Sequence, residues 1–119
     1  MKNSPVWLPA SFYPPGYTRE QALESVDIGW HGLINKAFDK LESITDIIIV
    51  IDQVKEKYGG LRIYTSTMYE EFDKFVIELE TESYKICETC GEAGELRGAD
   101  WYKTLCDVHA NGRPAISPF

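Results

Sequence analysis

The chain has 119 residues, of which 44% are hydrophobic and 26% charged, so it is expected to form one globular domain and not a fibrous, repeat or wholly disordered protein. Its formal net charge of −7 disfavours nucleic acid as a partner without excluding it. The longest apolar run covers residues 47–51, far short of the roughly 20 residues that cross a bilayer, and we expect no membrane span. Residues 1–5 lack the apolar stretch of a secretory signal, so we expect a cytoplasmic protein.

Proline and aromatic residues dominate residues 1–17, which we interpret as an extended arm laid over the core. Thr18 and Gln21 have the spacing of a capping box and predict a short helix that ends near Ser25. Asp27 can cap a second helix. That second helix carries apolar residues at helical spacing, which predicts a core-facing stripe: Trp30, Leu33, Ile34, Ala37, Phe38 and Leu41.

Residues 46–58 and 61–66 are rich in β-branched side chains, which predicts two antiparallel strands. Gly59 and Gly60 lie between them and can supply the positive φ angles of a two-residue hairpin turn. Charged and apolar residues alternate beside this turn, so one face of the hairpin is expected to be exposed to solvent.

A third helix is predicted after the hairpin, because Thr67 and Glu70 again have the spacing of a capping box. One side of this helix is apolar, with Met68, Phe72, Phe75, Val76 and Leu79. The other side is acidic, with Glu70, Glu71, Asp73, Glu78, Glu80 and Glu82. Residues 67–86 therefore contribute four of the seven net negative charges.

Three cysteines and a histidine near the C-terminus are spaced as metal ligands. Cys87 and Cys90 are spaced Cys-x2-Cys, and a 15-residue loop separates them from the Cys-x2-His pair of Cys106 and His109. Each pair can bind from a single turn, and tetrahedral zinc favours this soft ligand set. Because four protein ligands leave no open coordination position, we predict one structural Zn²⁺ in a reducing compartment and no disulfide framework. The alternative is a set of free buried cysteines beside a chance histidine.

Short elements are expected around these ligands. Gly91 permits a left-handed backbone, and residues 95–97 and 101–105 read as short strands. Residues 106–110 are expected to form a helical turn that ends at residues 111–112. This order of knuckle, hairpin and helix start is typical of a treble-clef-like zinc module.

No catalytic group of residues is visible in the sequence. His31 lies on the polar flank of the second helix, with no cysteine or second histidine near it, so we interpret it as solvated or hydrogen-bonded. A nuclease of the HNH type, built on a treble clef, would need further histidines to hold a catalytic ion and activate water. We therefore predict that the chain is not an enzyme, and an enzyme with a site of another kind is the remaining alternative.

Two charged surfaces are candidates for partner binding. The hairpin carries three basic side chains beside two tyrosines and could bind phosphate or stack a base: Lys55, Lys57 and Arg62. The acidic helix carries three carboxylates on one strip, which could meet a basic surface: Glu71, Glu78 and Glu82. The alternative for each is an ordinary solvated face.

Two sequence strings occur together in this chain. The first is QVKEKYGGLRIY at residues 53–64, and the second is CxxCG followed by WxxTLCDxH within residues 87–109. Their combination resembles small zinc-binding proteins of bacteriophages and prophages, over roughly residues 27–110. The resemblance implies the zinc ligands Cys87, Cys90, Cys106 and His109 and a place in the cytoplasm of a bacterial host cell, but it transfers no activity.

Together these patterns predict one α+β domain with a small antiparallel sheet, two main helices and a C-terminal treble-clef-like zinc module. We divide it into the arm (residues 1–17), a helix–hairpin–helix body (18–86), the zinc module (87–112) and a loose tail (113–119). The predicted function is a non-enzymatic, phage-type protein that binds a host or phage protein, with inhibition of a host defence system as one role. The alternative is a nucleic-acid-binding accessory or regulatory protein that uses the basic hairpin and the zinc module.

Overall fold

The structure, a computed structural model, describes residues 16–98 and 101–116. The α-helices are α1 (Arg19–Glu24), α2 (His31–Ser43) and α3 (Glu70–Ser83), and a 3-10 turn at Ile28–Trp30 precedes α2. The strands are β1 (Ile51–Lys57), β2 (Gly60–Thr65), β3 (Glu95–Arg97) and β4 (Lys103–Leu105). β1 pairs with β2 and β3 with β4, both antiparallel, which confirms the α+β class with two main helices. The predicted arm lies outside the described residues, except for residues 16–17.

The first helix begins as its sequence predicts. The Thr18 hydroxyl accepts a hydrogen bond from the Gln21 backbone N–H at 3.2 Å, and the Thr18 N–H donates to the Gln21 side chain at 2.9 Å. These two bonds satisfy donors that a helix start otherwise leaves without partners. The Arg19 guanidinium then lies 2.9 Å from both Asp39 and Glu42, so α1 is fixed against α2.

The apolar stripe of α2 faces the core as predicted, since Leu33, Ile34, Ala37, Phe38 and Leu41 are all buried. Asp27 precedes the 3-10 turn, but its side chain makes no capping hydrogen bond, so that prediction is wrong. Trp30 is fully buried, and its indole N–H donates to the Ile86 carbonyl at 2.9 Å. This bond connects the start of α2 to the segment that leads into the zinc module.

The hairpin turn lies one residue earlier than predicted. Its two central residues are Tyr58, at φ 54°, and Gly59, at φ 82°, whereas Gly60 pairs with Lys57 as the first residue of β2. Two positive φ angles in succession suit the right-handed twist of a hairpin. A Cβ at Gly60 would meet the Tyr84 hydroxyl, so a larger residue there would need the tyrosine side chain to shift. The first strand is also shorter than predicted, since β1 starts at Ile51.

The predicted capping box of α3 is wrong. Tyr69 precedes the helix, and the Thr67 hydroxyl is engaged elsewhere, with the Val50 N–H at 3.4 Å and the Ile48 carbonyl at 3.5 Å. Met68 lies before the helix and is 91% exposed, so it is not part of the core. The remaining apolar side of the helix packs inward, with Phe72, Val76 and Leu79 buried and Phe75 half-buried.

α3 lies along the outer edge of β2. The Leu61 N–H donates to the Ser83 hydroxyl, and the Ile63 N–H donates to the Glu80 carboxylate, both at 2.9 Å. Burial raises the pKa of Glu80, although the Ile63 N–H and nearby Arg62 act in the opposite direction. Side chains of a helix thus take the place of a third strand at this edge.

The segment after the metal ligands also pairs with a strand. The Gly98 N–H donates to the Pro114 carbonyl at 3.0 Å, and the Ile116 N–H donates to the Leu96 carbonyl at 2.8 Å. Residues 113–116 therefore lie against β3 and are not a loose tail. Residues 117–119 lie outside the described part. None of the helices described is both long and apolar enough to cross a membrane.

Candidate metal centre

The four predicted ligands converge on one point. The Cys87, Cys90 and Cys106 sulfurs and a His109 ring nitrogen all lie within 4.8 Å of one another. The Cys90 and Cys106 sulfurs are 3.8 Å apart, and His109 Nδ1 lies 3.7 Å from the Cys87 sulfur and 3.2 Å from that of Cys106. Zn–S bonds of about 2.3 Å in a tetrahedron place the sulfurs about 3.8 Å apart. The cluster can therefore hold one metal ion such as zinc.

The first ligand pair sits on a tight turn. Gly91 adopts the predicted left-handed conformation, with φ 85°, and its N–H donates to the Cys87 carbonyl at 2.8 Å. The Cys87 N–H donates to the Glu92 carbonyl, also at 2.8 Å. These bonds fold the chain back so that Cys87 and Cys90 face the same point.

The second ligand pair follows β4 directly. Within the predicted helical turn at residues 106–110, residues 107–109 form a hydrogen-bonded turn that does not extend into a helix. The turn ends at Asn111 and Gly112, which both have positive φ, and the Arg113 N–H donates to the Ala110 carbonyl at 3.0 Å. Cys106 and His109 thus come from one turn, as their spacing predicts.

Arg97 fixes this second turn to the β3–β4 ribbon. It is 9% exposed, its Nε donates to the Leu105 carbonyl at 3.1 Å, and its guanidinium lies 2.8 Å from the Asp107 carboxylate. Buried charges are stable in proteins when they are paired in this way. Sequence patterns do not indicate this role, because β3 and Asp107 are brought together only by the pairing of β3 with β4.

The protein environment favours a thiolate at Cys87. Burial raises the pKa of this thiol, but hydrogen bonds from the backbone N–H groups of Cys106, Cys90 and Thr89 outweigh burial and lower it to about 6. At the exposed Cys90 the backbone N–H of Glu92 lowers the pKa, but loss of hydration and the neighbouring thiols of Cys87 and Cys106 raise it overall. Because the thiolate is the form that binds metal, one ligand is ready at neutral pH, and a metal ion would displace the remaining protons.

The metal turn lies directly against the body. The Gly29 N–H donates to the Glu88 carbonyl at 2.9 Å, and a Cβ at Gly29 would collide with the Cys87 carbonyl. Only a glycine permits so close an approach of two backbones. Gly29 was not predicted as part of the site, since no neighbouring residue in the chain indicates this contact.

Glu88, between two ligands, is a buried carboxylate. It is 4% exposed, accepts from Lys103 Nζ at 2.9 Å and from the Thr104 N–H at 3.3 Å. Burial raises the pKa of Glu88, and Lys103 partly offsets this effect, while the hydrogen bond that Lys103 donates to Glu88 raises the pKa of Lys103. This pair connects the metal turn to β4.

The turn of the β1–β2 hairpin contacts the β3–β4 ribbon. The Thr104 hydroxyl, fully buried, donates to the Gly59 carbonyl at 2.6 Å, and a Cβ at Gly59 would collide with the Leu96 side chain. The rings of Tyr58 and Tyr102 meet edge to face, with centroids 6.5 Å apart. The two sequence strings that carry the resemblance are therefore in direct contact.

Two residues of the acidic strip form salt bridges with α2. Glu71 pairs with Lys40 at 2.6 Å and Glu82 with Lys36 at 3.7 Å, and all three carboxylates of the strip are exposed. Two of its three carboxylates are thus used between the two main helices.

The basic hairpin residues share the outer face of β1 and β2. Lys55 lies opposite Arg62, and the Arg62 guanidinium donates to the Tyr84 hydroxyl at 2.8 Å. Lys57 Nζ lies 5.6 Å from the centre of the Tyr58 ring.

His31 is hydrogen-bonded to the Val26 carbonyl at 3.3 Å, away from the metal ligands.

No protein-family model matches this chain, and no similar curated protein or solved structure was found. The arrangement of its own residues therefore carries the functional argument.

Proposed function

We propose that this chain is a non-enzymatic, zinc-stabilised binding protein that engages another protein through an exposed aromatic surface. This aromatic surface consists of Tyr58, Trp101 and Tyr102, which are 64%, 58% and 44% exposed. Large aromatic rings usually bury most of their area, so three exposed rings at one junction are the observation that carries the proposal.

The two elements that carry these rings are connected by a buried hydrogen bond. Tyr58 belongs to the hairpin turn, while Trp101 and Tyr102 precede β4, and the Thr104 to Gly59 hydrogen bond holds these two elements together. A side chain that is already fixed loses little conformational entropy on binding. Tyrosine and tryptophan are also the residue types that most often dominate the energy of protein interfaces.

A bound metal ion would stabilise the strands next to Trp101 and Tyr102. Four protein ligands would complete a tetrahedral coordination sphere and leave no position for a substrate or an activated water, which favours a structural role for zinc. Along the chain, Cys87 and Cys90 precede β3, and Cys106 and His109 follow β4. A zinc ion at this point would therefore hold the support of Trp101 and Tyr102 in shape.

The resemblance to phage and prophage proteins favours a partner in an infected bacterial cell. That partner is then a host or phage protein, and inhibition of a host defence system is the role we propose for the complex. A small protein without its own reaction can inhibit by covering a surface that another molecule needs.

A photocrosslinking experiment tests the protein-binding role. A photoreactive phenylalanine analogue at position 102 should crosslink zinc-loaded protein to a discrete partner in cells, and the same analogue at position 68 should not. Met68 is the matched control because it is 91% exposed and lies outside the aromatic surface. The proposal would be contradicted if both positions gave the same crosslinked species. It would also be contradicted if the species crosslinked at position 102 persisted when Tyr58→Ala was added.

Nucleic acid is the second candidate. Lys57 over Tyr58 and Lys55 over Tyr64, at 5.6 and 5.5 Å, combine a cation with an exposed ring, as sites for single strands do. In that case affinity for an oligothymidylate should fall steeply with salt and be lost in Lys55→Ala/Lys57→Ala.

A further inference from the structure

The cations beside the aromatic surface differ from most others in the protein. Within residues 16–98 and 101–116, six lysines and arginines form salt bridges: Arg19, Lys36, Lys40, Lys74, Arg97 and Lys103. Over the same residues, Lys55, Lys57, Arg62 and Arg113 form none, and neither does Lys85. In a protein with net charge −7, four cations that form no salt bridge thus occur close to aromatic rings.

Each of these cations is placed by an aromatic ring. Lys57 lies over Tyr58, Lys55 over Tyr64 and Arg62 over Tyr84, and the Arg113 guanidinium lies 5.1 Å from the centre of the Trp101 ring. Arg113 also donates to the Trp101 carbonyl at 2.8 Å. Cation–π contacts restrict a long side chain while leaving its charge available to a partner.

The polar groups offered by this surface are donors. Lysine, arginine and the tryptophan indole only donate hydrogen bonds, and tyrosine hydroxyls donate readily. Three carboxylates of this region already accept hydrogen bonds within the chain: Glu56 from the Gly59 N–H at 2.7 Å, Glu80, near Arg62, from the Ile63 N–H at 2.9 Å, and Glu88 from Lys103 at 2.9 Å. A ligand that satisfies four cations and several donors must itself present acceptors with negative charge.

We propose that the aromatic surface and its four cations bind an acidic segment of a partner protein, an inference that rests on the proposed function. A segment with a few aspartates or glutamates and an apolar side chain between them meets both the cations and the rings. The electrostatic match sets the association rate and the register, and the rings supply apolar contact area.

A protein segment fits better than a polynucleotide. A nucleic acid strand carries one charge per nucleotide along its whole length, so a strand that continues beyond the surface meets the acidic remainder of the chain. The exposed Glu70 and Glu78 of α3 belong to that remainder. An acidic protein segment can confine its charge to the four cations.

Binding of the zinc-loaded protein to a library of short random peptides tests this inference. Bound peptides should be enriched in aspartate and glutamate, and their affinity, measured by fluorescence anisotropy at low salt, should fall about tenfold in Lys55→Glu/Lys57→Glu. Lys74→Glu, a charge reversal on α3 in a residue paired with Glu70, is the control and should leave affinity unchanged.

The other outcomes separate the two proposals. Bound peptides that lack an acidic excess but are lost in Tyr102→Ala would overturn the inference and leave the protein-binding role intact. Peptide binding unaffected by Tyr58→Ala and Tyr102→Ala would overturn both. Oligothymidylate bound more tightly than any peptide, with dependence on Lys55 and Lys57, would assign the surface to single-stranded nucleic acid and overturn both as well.

Discussion

The helix–hairpin–helix body and the zinc module are stabilised in different ways. Among the described residues, sixteen buried apolar side chains form one cluster in the body, around Trp30 and Phe72, whereas the cluster in the module contains Cys87, Leu105 and Ala110. Apolar burial contributes about 25 cal/mol per Å², so packing can support the body but not the module. The module depends instead on its ligands, on buried ion pairs and on close backbone contacts with the body. Two of the three rings of the aromatic surface, Trp101 and Tyr102, therefore lie in the region with the smaller apolar core, whereas Tyr58 lies in the body.

Removing a metal ligand should produce the largest difference in stability between the body and the zinc module. Cys106→Ser should release the metal and unfold the module while the body keeps its core, because structural zinc supplies an apparent free energy of about 10–16 kcal/mol in small zinc modules. Elemental analysis measures the metal, and hydrogen exchange compares residues 87–110 with α2. Chelation of the unmodified protein should give the same pattern. A metal-free variant whose residues 95–105 stay protected would contradict the ligand assignment.

A smaller effect is expected where the module contacts the body. Gly29→Ala places a methyl group against the Cys87 carbonyl and should reduce the free energy of unfolding by about 2–3 kcal/mol. Gly32→Ala is the matched control, since nothing lies within 4 Å of a Cβ there and alanine favours a helix by up to about 1 kcal/mol. Urea unfolding of both variants at saturating zinc measures the difference. Equal stabilities would mean that the two backbones can separate without cost.

The smallest effect concerns the body alone. Burial raises the pKa of Glu80 in the folded state, so its contribution to stability is present below the unfolded pKa and is lost as the pH rises through the folded pKa. Glu80→Gln removes this dependence and keeps an acceptor for the Ile63 N–H. The variant should therefore gain stability relative to the unmodified protein between acid and neutral pH, as measured by urea unfolding at matched pH values. A stability difference that does not change with pH would show that the Glu80 carboxylate is not destabilised by burial.

Local patterns in the sequence predicted the elements that depend on neighbouring residues. The Thr18–Gln21 capping box, the apolar stripe of α2 and the spacing of the four ligands each involve positions only a few residues apart, and all three are found in the structure. Gly91 belongs to the same class, because a left-handed residue after a ligand pair is a requirement of the turn itself.

Predictions failed where a distant element competes for a residue. Thr67 could cap α3, but its hydroxyl is engaged by the chain before β1 instead. Gly60 was assigned to the turn, whereas Tyr58 and Gly59 occupy its left-handed positions and Gly60 lies against the Tyr84 hydroxyl as the first residue of β2. Gly29, Arg97 and Glu88 carry no local signal, since their partners lie far away in sequence or follow from tertiary folding.

The pairing of residues 114–116 with β3 has a consequence for how this protein associates with others. An uncovered strand edge presents unpaired N–H and C=O groups and invites a strand from a second chain, which is a common start of aggregation. Here the Gly98 N–H donates to the Pro114 carbonyl, and the Leu96 carbonyl accepts from the Ile116 N–H. The outer edge of β3 is therefore paired within the chain. A partner cannot add a strand at that edge without first displacing the chain's own terminal segment. Truncation before Pro114 would therefore be expected to reduce solubility even if every metal ligand is retained.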